Sequence, residues 1–171
     1  MWLHLPTNKC ILFIPRSGST SIRARIEGHY PNAAPWTPRT FEVPSGFTAF
    51  ALIRNPVDRF ISGCAKTGMS PNQALDMLGS LPERQSGIPP IGGPYVDVHL
   101  ESLSTRGLTD EVLPHVQLFK FETGIDAFCA AVGFASLPHE NESEIKPVLS
   151  DLERAAVANY YARDIEIWNG I

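Results

Sequence analysis

The run Cys10-Ile-Leu-Phe-Ile-Pro15 is apolar throughout and breaks at once into Arg16-Ser-Gly-Ser-Thr-Ser21, after which Ile22 and Ile26 recur at helical spacing. A buried strand, a short hydroxyl-rich turn and a helix in that order place the turn at a sheet edge, where the first amides of the helix have no intrahelical acceptor. Those N–H groups, with the positive end of the helix dipole behind them, favour an anion. Ser17, Ser19, Thr20 and Ser21 add hydroxyl donors, Gly18 lets the backbone approach closely, and Arg16 adds a permanent positive charge. From this segment alone, Ser17 as a simple helix cap after a core strand is the better reading, and a second element is needed to raise the anion site above it. No Gly-Lys pair precedes Ser19 or Thr20, so this is not the usual nucleotide-triphosphatase loop, GxxxxGK followed by Ser or Thr. The expected ligand is phosphate-like, but not ATP held in the usual way.

The same strand-then-helix pattern returns along the chain. Residues 10 to 15 read as a strand and 17 to 27 as a helix ending at Gly28; residues 29 to 46, rich in proline, read as a loop. Phe47 to Arg54 is a second apolar strand, followed by Asn55-Pro56, a helix cap and a proline suited to the first helical position. Val57, Phe60, Ile61 and Cys64 then form a core-facing stripe, with Asp58, Arg59 and Ser62 on the opposite face. A helix capped by Ser70 is expected from Pro71 to Leu78, and a long irregular loop over residues 79 to 96. Val116 to Phe121 resembles a third strand, leading into a helix whose Ile125, Phe128, Cys129 and Val132 share a face and which Gly133 stops. Ser150-Asp-Leu-Glu153 is a capping-box pattern, opening a helix to about Tyr161 with a further helical turn through Ile165 and Trp168. Alternating strands and helices predict an α/β fold with a central parallel sheet flanked by helices, whose ligands bind beyond the carboxyl ends of the strands. Both Arg16 and Arg54 fall at such ends.

Composition bounds the rest. At 171 residues the chain suits one domain, taken as 1–171, with a single substantial core. Hydrophobic residues make up 43% and charged residues 19%, and the net charge of −4 gives no bulk electrostatic reason to bind nucleic acid, so any basic site is local. Arg16, Arg23 and Arg25 are placed to supply one. Cys10, Cys64 and Cys129 are odd in number and set among apolar residues, which predicts reduced, buried thiols rather than disulfides or a metal site. The N-terminus has no basic region followed by an apolar stretch, and no run approaches the length that spans a bilayer, so a cytoplasmic protein without membrane contact is expected.

A second element gives the first its meaning. In Ile53-Arg-Asn-Pro-Val-Asp-Arg-Phe-Ile-Ser62, Arg54 stands at a strand end and Ser62 two helical turns later. Arginine there can make a forked, charge-assisted contact with phosphate, and the serine can donate a further bond. Alone, this element is better read as a salt bridge between Arg54 and Asp58, with Ser62 a solvated helix residue. Taken together, IPRSGSTS and IRNPVDRFIS resemble, in order and spacing, the sulfotransferase superfamily that uses 3′-phosphoadenosine 5′-phosphosulfate (PAPS). In that family a segment of the form Pro-Lys-Ser/Thr-Gly-Ser/Thr-Thr-Ser holds the 5′-phosphosulfate, and Arg-Asp/Asn-Pro-x-x-Arg-x-x-Ser holds the 3′-phosphate. The resemblance thus assigns Arg16, Ser17, Gly18, Ser19, Thr20 and Ser21 to the 5′ end of the donor and Arg54 and Ser62 to its 3′ end. Weaker likeness continues through LFKFETGIDAFCAAVGF and YYARDIEIW. It implies a three-layer P-loop-like fold and transfer of a sulfonate, without a metal, to a hydroxyl or amine acceptor that includes carbohydrates. One departure stands out: the family's lysine is replaced by Arg16, whose charge is spread over a planar fork rather than held at a point. Arg16 is the expected catalytic cation at the leaving group.

An acceptor hydroxyl gains from a general base. His99 in Tyr95-Val-Asp-Val-His-Leu-Glu101 is the first candidate, by likeness to Asp-x-His segments of carbohydrate sulfotransferases; Asp97 and Glu101 are the alternatives. Glu122, at a strand end, reads as a cap for the following helix. Two other functions fit parts of the pattern: a phosphotransferase or nucleotide hydrolase on a related phosphate-loop fold, and a non-catalytic nucleotide-binding module. Acceptor identity and oligomeric state have no readable code in the chain; for Trp36 and Tyr95, stacking on a sugar ring and simple packing on the surface are equally open readings.

Overall fold

Four strands, β1 (Trp2–Leu5), β2 (Lys9–Leu12), β3 (Thr48–Ile53) and β4 (Val116–Lys120), form one sheet in the order β1-β2-β3-β4. The computed structural model describes residues 2–5, 7–29, 43, 45–79, 100–104, 107–138 and 146–171. β2, β3 and β4 are parallel neighbours, with Cys10 opposite Ala49 and Ile53 opposite Lys120. β1 joins antiparallel to β2, setting Leu3 against Ile11. Sequence patterning did not predict β1; the chain reverses into β2 through Asn8, which adopts a left-handed φ of 53°. The helices are α1 (Ser19–His29), α2 (Pro56–Thr67), α3 (Pro71–Gly79), α4 (Ile125–Val132), α5 (Asp151–Tyr160) and α6 (Ala162–Asn169). The fold is therefore mixed α/β around a small parallel sheet carrying an antiparallel edge strand.

The period-2 geometry of a strand sorts its side chains to two faces. Ile11, Phe50 and Leu52 pack with Ile22 and Ile26 of α1 and Phe128, Cys129 and Val132 of α4. Their neighbours Cys10, Leu12, Ala49, Ala51 and Ile53 pack on the other face with Leu103, Leu108, Val112 and Ile167 of α6. A third cluster joins Phe60 and Cys64 of α2 to Ala74 and Leu78 of α3 and Val157 of α5. Each fully buried Ile, Leu or Phe is worth about 1.5–3 kcal/mol in removal from water, so both faces of the sheet are firmly held.

Element boundaries follow backbone chemistry. β2 ends at Leu12, three residues short of the apolar run, because Pro15 has no N–H for the ladder and the Ile14 carbonyl accepts from Ser17 N at 3.4 Å in a turn. α1 starts at Ser19 instead of Ser17, since Arg16 and Gly18 have φ of +64° and +76°, outside the right-handed helix. α2 begins as expected: the Asn55 side chain accepts from Val57 N at 3.0 Å and Asp58 N at 3.3 Å, with Pro56 at the first helical position. Ser70 and Gln73 exchange bonds at the start of α3, Gly133 ends α4 at φ +88°, and Ser150 and Glu153 form the capping box of α5.

One face of α2 departs from the sequence reading. Asp58 is exposed, but Arg59 and Ser62 are 1% and 2% exposed. α2 is wedged between elements, so its second flank is covered too: Ser62 by Arg16, and Arg59 by Asp164 of α6.

Candidate anion-binding site

Because β2, β3 and β4 are parallel, the segments that leave their carboxyl ends gather on one edge. After β2 comes the loop through Arg16 to Gly18, after β3 comes Arg54, and after β4 comes Phe121, whose N–H donates to the Ile53 carbonyl at 2.7 Å and prolongs the pairing.

The loop is defined by its backbone conformation. φ changes sign from residue to residue, positive at Arg16 and Gly18 but not at Ser17, the alternation that turns successive amides toward one concavity. The first helical bond of α1 runs from Ile22 N to Gly18 O at 2.9 Å, so the amides of Ser19 and Thr20 precede the hydrogen-bonded ladder and face the loop's end of the helix dipole. Ser17 is 1% exposed, and its hydroxyl is buried with no hydrogen-bond partner. An orphaned buried hydroxyl is costly, by about 1–3 kcal/mol, unless a ligand completes it. A Cβ on Gly18 would lie 3.1 Å from Phe121 Cε2 and 3.3 Å from Leu52 Cδ2, so the backbone comes as close to the β4 end as glycine permits.

Two arginines reach the same edge. Arg16 donates from Nε and Nη2 to Ser62 Oγ at 2.9 and 2.7 Å, tying the loop after β2 to the second turn of α2. The Arg54 guanidinium carbon lies 5.3 Å from the centroid of the Phe121 ring, and its Nε is buried with no hydrogen-bond partner. Burial, and then the positive charge of Arg54, push the Arg16 guanidinium below its ordinary pKa. Two like charges held close in a half-buried setting favour an anion between them.

These positions bring together most of the residues singled out in the sequence. Arg16, Ser17, Gly18 and Ser19 through Ser21 lie in the loop and the first turn of α1; Ser17 and Ser21 are buried and Thr20 is exposed. Arg54 stands at the neighbouring strand end. Ser62 lies against Arg16, so a residue grouped with the 3′ element touches one grouped with the 5′ element. His99 and Asp97 lie outside the described residues, as do Trp36 and Tyr95. Glu101 is half-buried, and its carbonyl accepts from Arg59 Nη1 at 2.6 Å. Glu122 does not act as the expected cap of α4: its carboxylate accepts from Asn55 N at 2.7 Å and from Trp168 Nε1 at 3.3 Å. A cap would have to turn toward α4, whereas the end of β4 directs this side chain to its parallel neighbour.

Phe121 beside Arg54, and the buried pair of Arg59 with Asp164 away from the loop, are contacts that pattern reading passed over. Period-2 alternation on β4 puts Phe121 on the face of Phe119, a usable signal, but nothing local pairs Arg59 with Asp164. The three cysteines are free and buried, as expected; burial pushes the thiol of Cys10 up to about 12 and that of Cys64 to about 11. Among the described residues, no helix is long and apolar enough to cross a membrane. Comparison with protein-family models, with curated proteins and with solved structures finds no match to this chain.

Proposed function

We propose that the chain is a PAPS-dependent sulfotransferase on a three-layer P-loop-like fold, acting in the cytoplasm on a hydroxyl or amine acceptor, with carbohydrates among its candidates. The observation that carries the reading is the buried, partnerless Ser17 hydroxyl in a loop of alternating φ, set beside Arg16 and Arg54 at adjacent strand ends. A donor with a phosphosulfate at one end and a phosphate at the other supplies an activated sulfonate and two anionic handles. The groups present suit such a molecule: amides and hydroxyls of residues 17 to 21 for one handle, and the Arg54 guanidinium, whose Nε lacks a partner, for the other.

On this reading Ser17 and the amides ahead of α1 bind and orient the reactive end. Arg16, held by Ser62, balances the charge that grows on the leaving phosphate as its bond to sulfur breaks and a new sulfur–oxygen bond forms to the acceptor. The acceptor proton passes to a base, His99 by the family resemblance. Arg54 anchors the remote end, and that binding energy orients the reacting one.

The test is a thermal-shift titration with adenosine 3′,5′-bisphosphate, AMP and ATP. At a hundredfold excess over Kd, the bisphosphate should raise Tm by about 5–10 °C, with much smaller shifts from AMP or ATP. Equal response to ATP would favour a phosphotransferase, and no preference for the bisphosphate would sink the proposal. Arg16→Ala should lower sulfonate transfer by at least about a hundredfold; near-normal turnover would remove Arg16 from the chemistry.

A further inference from the structure

We infer that Phe121 and Glu122, the two residues that follow β4, are positioning residues that hold Arg54 in its binding orientation from opposite faces of the sheet; the inference rests on the assignment of Arg54 to the remote phosphate. The register brings them there. Lys120 pairs with Ile53, and Phe121 N donates to the Ile53 carbonyl, so the end of β4 runs alongside Arg54-Asn55.

Phe121 acts on the side chain. Its ring packs with Phe119 on the α1 and α4 face, passes within close contact of Gly18, and lies under the Arg54 guanidinium at 5.3 Å from its centroid. A guanidinium over a ring face is attracted to it, which holds the charged end of Arg54 near the strand ends without using any of its N–H donors.

Glu122 acts on the backbone. Its Oε1 accepts the Asn55 N–H at 2.7 Å, fixing the peptide that joins Arg54 to the cap of α2. Its Oε2 accepts from Trp168 Nε1 at 3.3 Å, and Lys120 Nζ sits 4.2 Å from the Trp168 ring centroid, so α6 braces the carboxylate from the opposite face. Arg54 is thus restrained at both its main chain and its charged end by consecutive residues that project to opposite sides.

Isothermal titration of the full chain with adenosine 3′,5′-bisphosphate and with AMP, which lacks the 3′-phosphate, reads this role apart from general stability. Phe121→Leu keeps an apolar side chain but removes the ring face; it should weaken the bisphosphate about three- to tenfold while changing AMP affinity less than twofold. Phe121→Tyr, which keeps the ring, should restore most of the loss. Glu122→Ala should act in the same direction and Glu122→Gln, which retains an acceptor for Asn55, should act less. If both ligands weaken together, the two residues are merely structural and the inference fails. If the wild type prefers the bisphosphate and none of the variants alters that preference, the inference fails while the proposed function stands. If the wild type shows no preference, the functional reading itself falls and takes the inference with it. Should Phe121→Leu not fold, the Glu122 pair of variants decides.

Discussion

Arg16 is asked to do two things that oppose each other. Its backbone lies at φ +64°, a left-handed conformation that costs a residue bearing a Cβ about 1–2 kcal/mol, while its side chain makes two bonds to Ser62. The conformation is part of the loop's sign alternation, so the site uses a strained residue where glycine would be at ease. Replacing Arg16 by Ala or Gly removes the same side chain and the same bonds, leaving the backbone as the difference. Arg16→Gly should be more stable than Arg16→Ala by about 1 kcal/mol in urea unfolding, although both lose the guanidinium. Equal midpoints would mean that the loop does not keep its left-handed turn. Gly18 is more constrained still, by φ +76° and by the ring of Phe121 beside it. That a glycine belonged in the turn was legible from the sequence, but a left-handed arginine was not, because no local pattern asks for one.

The helices show which local signals carry through to structure. Caps do: Asn55, Ser70 and Ser150 each open a helix as their side-chain chemistry predicts. In α5, Ser150 N and Oγ donate to the Glu153 carboxylate at 2.8 and 2.7 Å, and these bonds, the backbone one first, hold its pKa below the ordinary glutamate value. A lowered folded-state value means that the contribution is complete above the unfolded pKa, about 4.3, and disappears as pH falls through the lowered value. Glu153→Gln should therefore flatten the loss of stability on acidification below about pH 4.3, read as urea midpoints at pH 7 and pH 3. Parallel pH dependence in the variant and the wild type would exclude this cap as a source. Faces carry through less well than caps. The stripe of α2 holds for Phe60 and Cys64, yet two of the three residues on its polar side are buried, because Arg59 and Ser62 meet partners contributed by other elements.

Across the whole molecule, one buried ion pair joins segments 105 residues apart. Arg59 Nη2 meets Asp164 Oδ2 at 2.6 Å with both side chains almost wholly buried. Asp164 also accepts from Leu103 N at 3.0 and 3.1 Å, and the Tyr161 hydroxyl donates to the Leu100 carbonyl. With Arg59 Nη1 on the Glu101 carbonyl, α2 and α6 together grip the main chain at Leu100, Glu101 and Leu103. Leaving one charge unpaired there is expensive: Arg59→Ala or Asp164→Ala should lower stability by about 3–5 kcal/mol, much of the roughly 5–15 kcal/mol a domain commands. The double variant Arg59→Met with Asp164→Leu should recover part of that in urea unfolding, since no charge is left unpaired although Leu103 N and the Glu101 carbonyl lose their partners; a double variant as weak as the singles would mean that those main-chain bonds, not the ion pair, carry the stability. By itself the sequence determined the strand–helix alternation, the caps, the buried thiols and the hydroxyl-rich turn, since each depends on neighbours within a few residues. Only the tertiary structure decided that Ser62 meets Arg16, that Phe121 lies under Arg54, that Glu122 turns to Asn55 and that Arg59 is buried. Those contacts join residues that are strangers along the chain, and whether a charged or hydroxyl side chain is solvated or paired depends on what the fold sets opposite it.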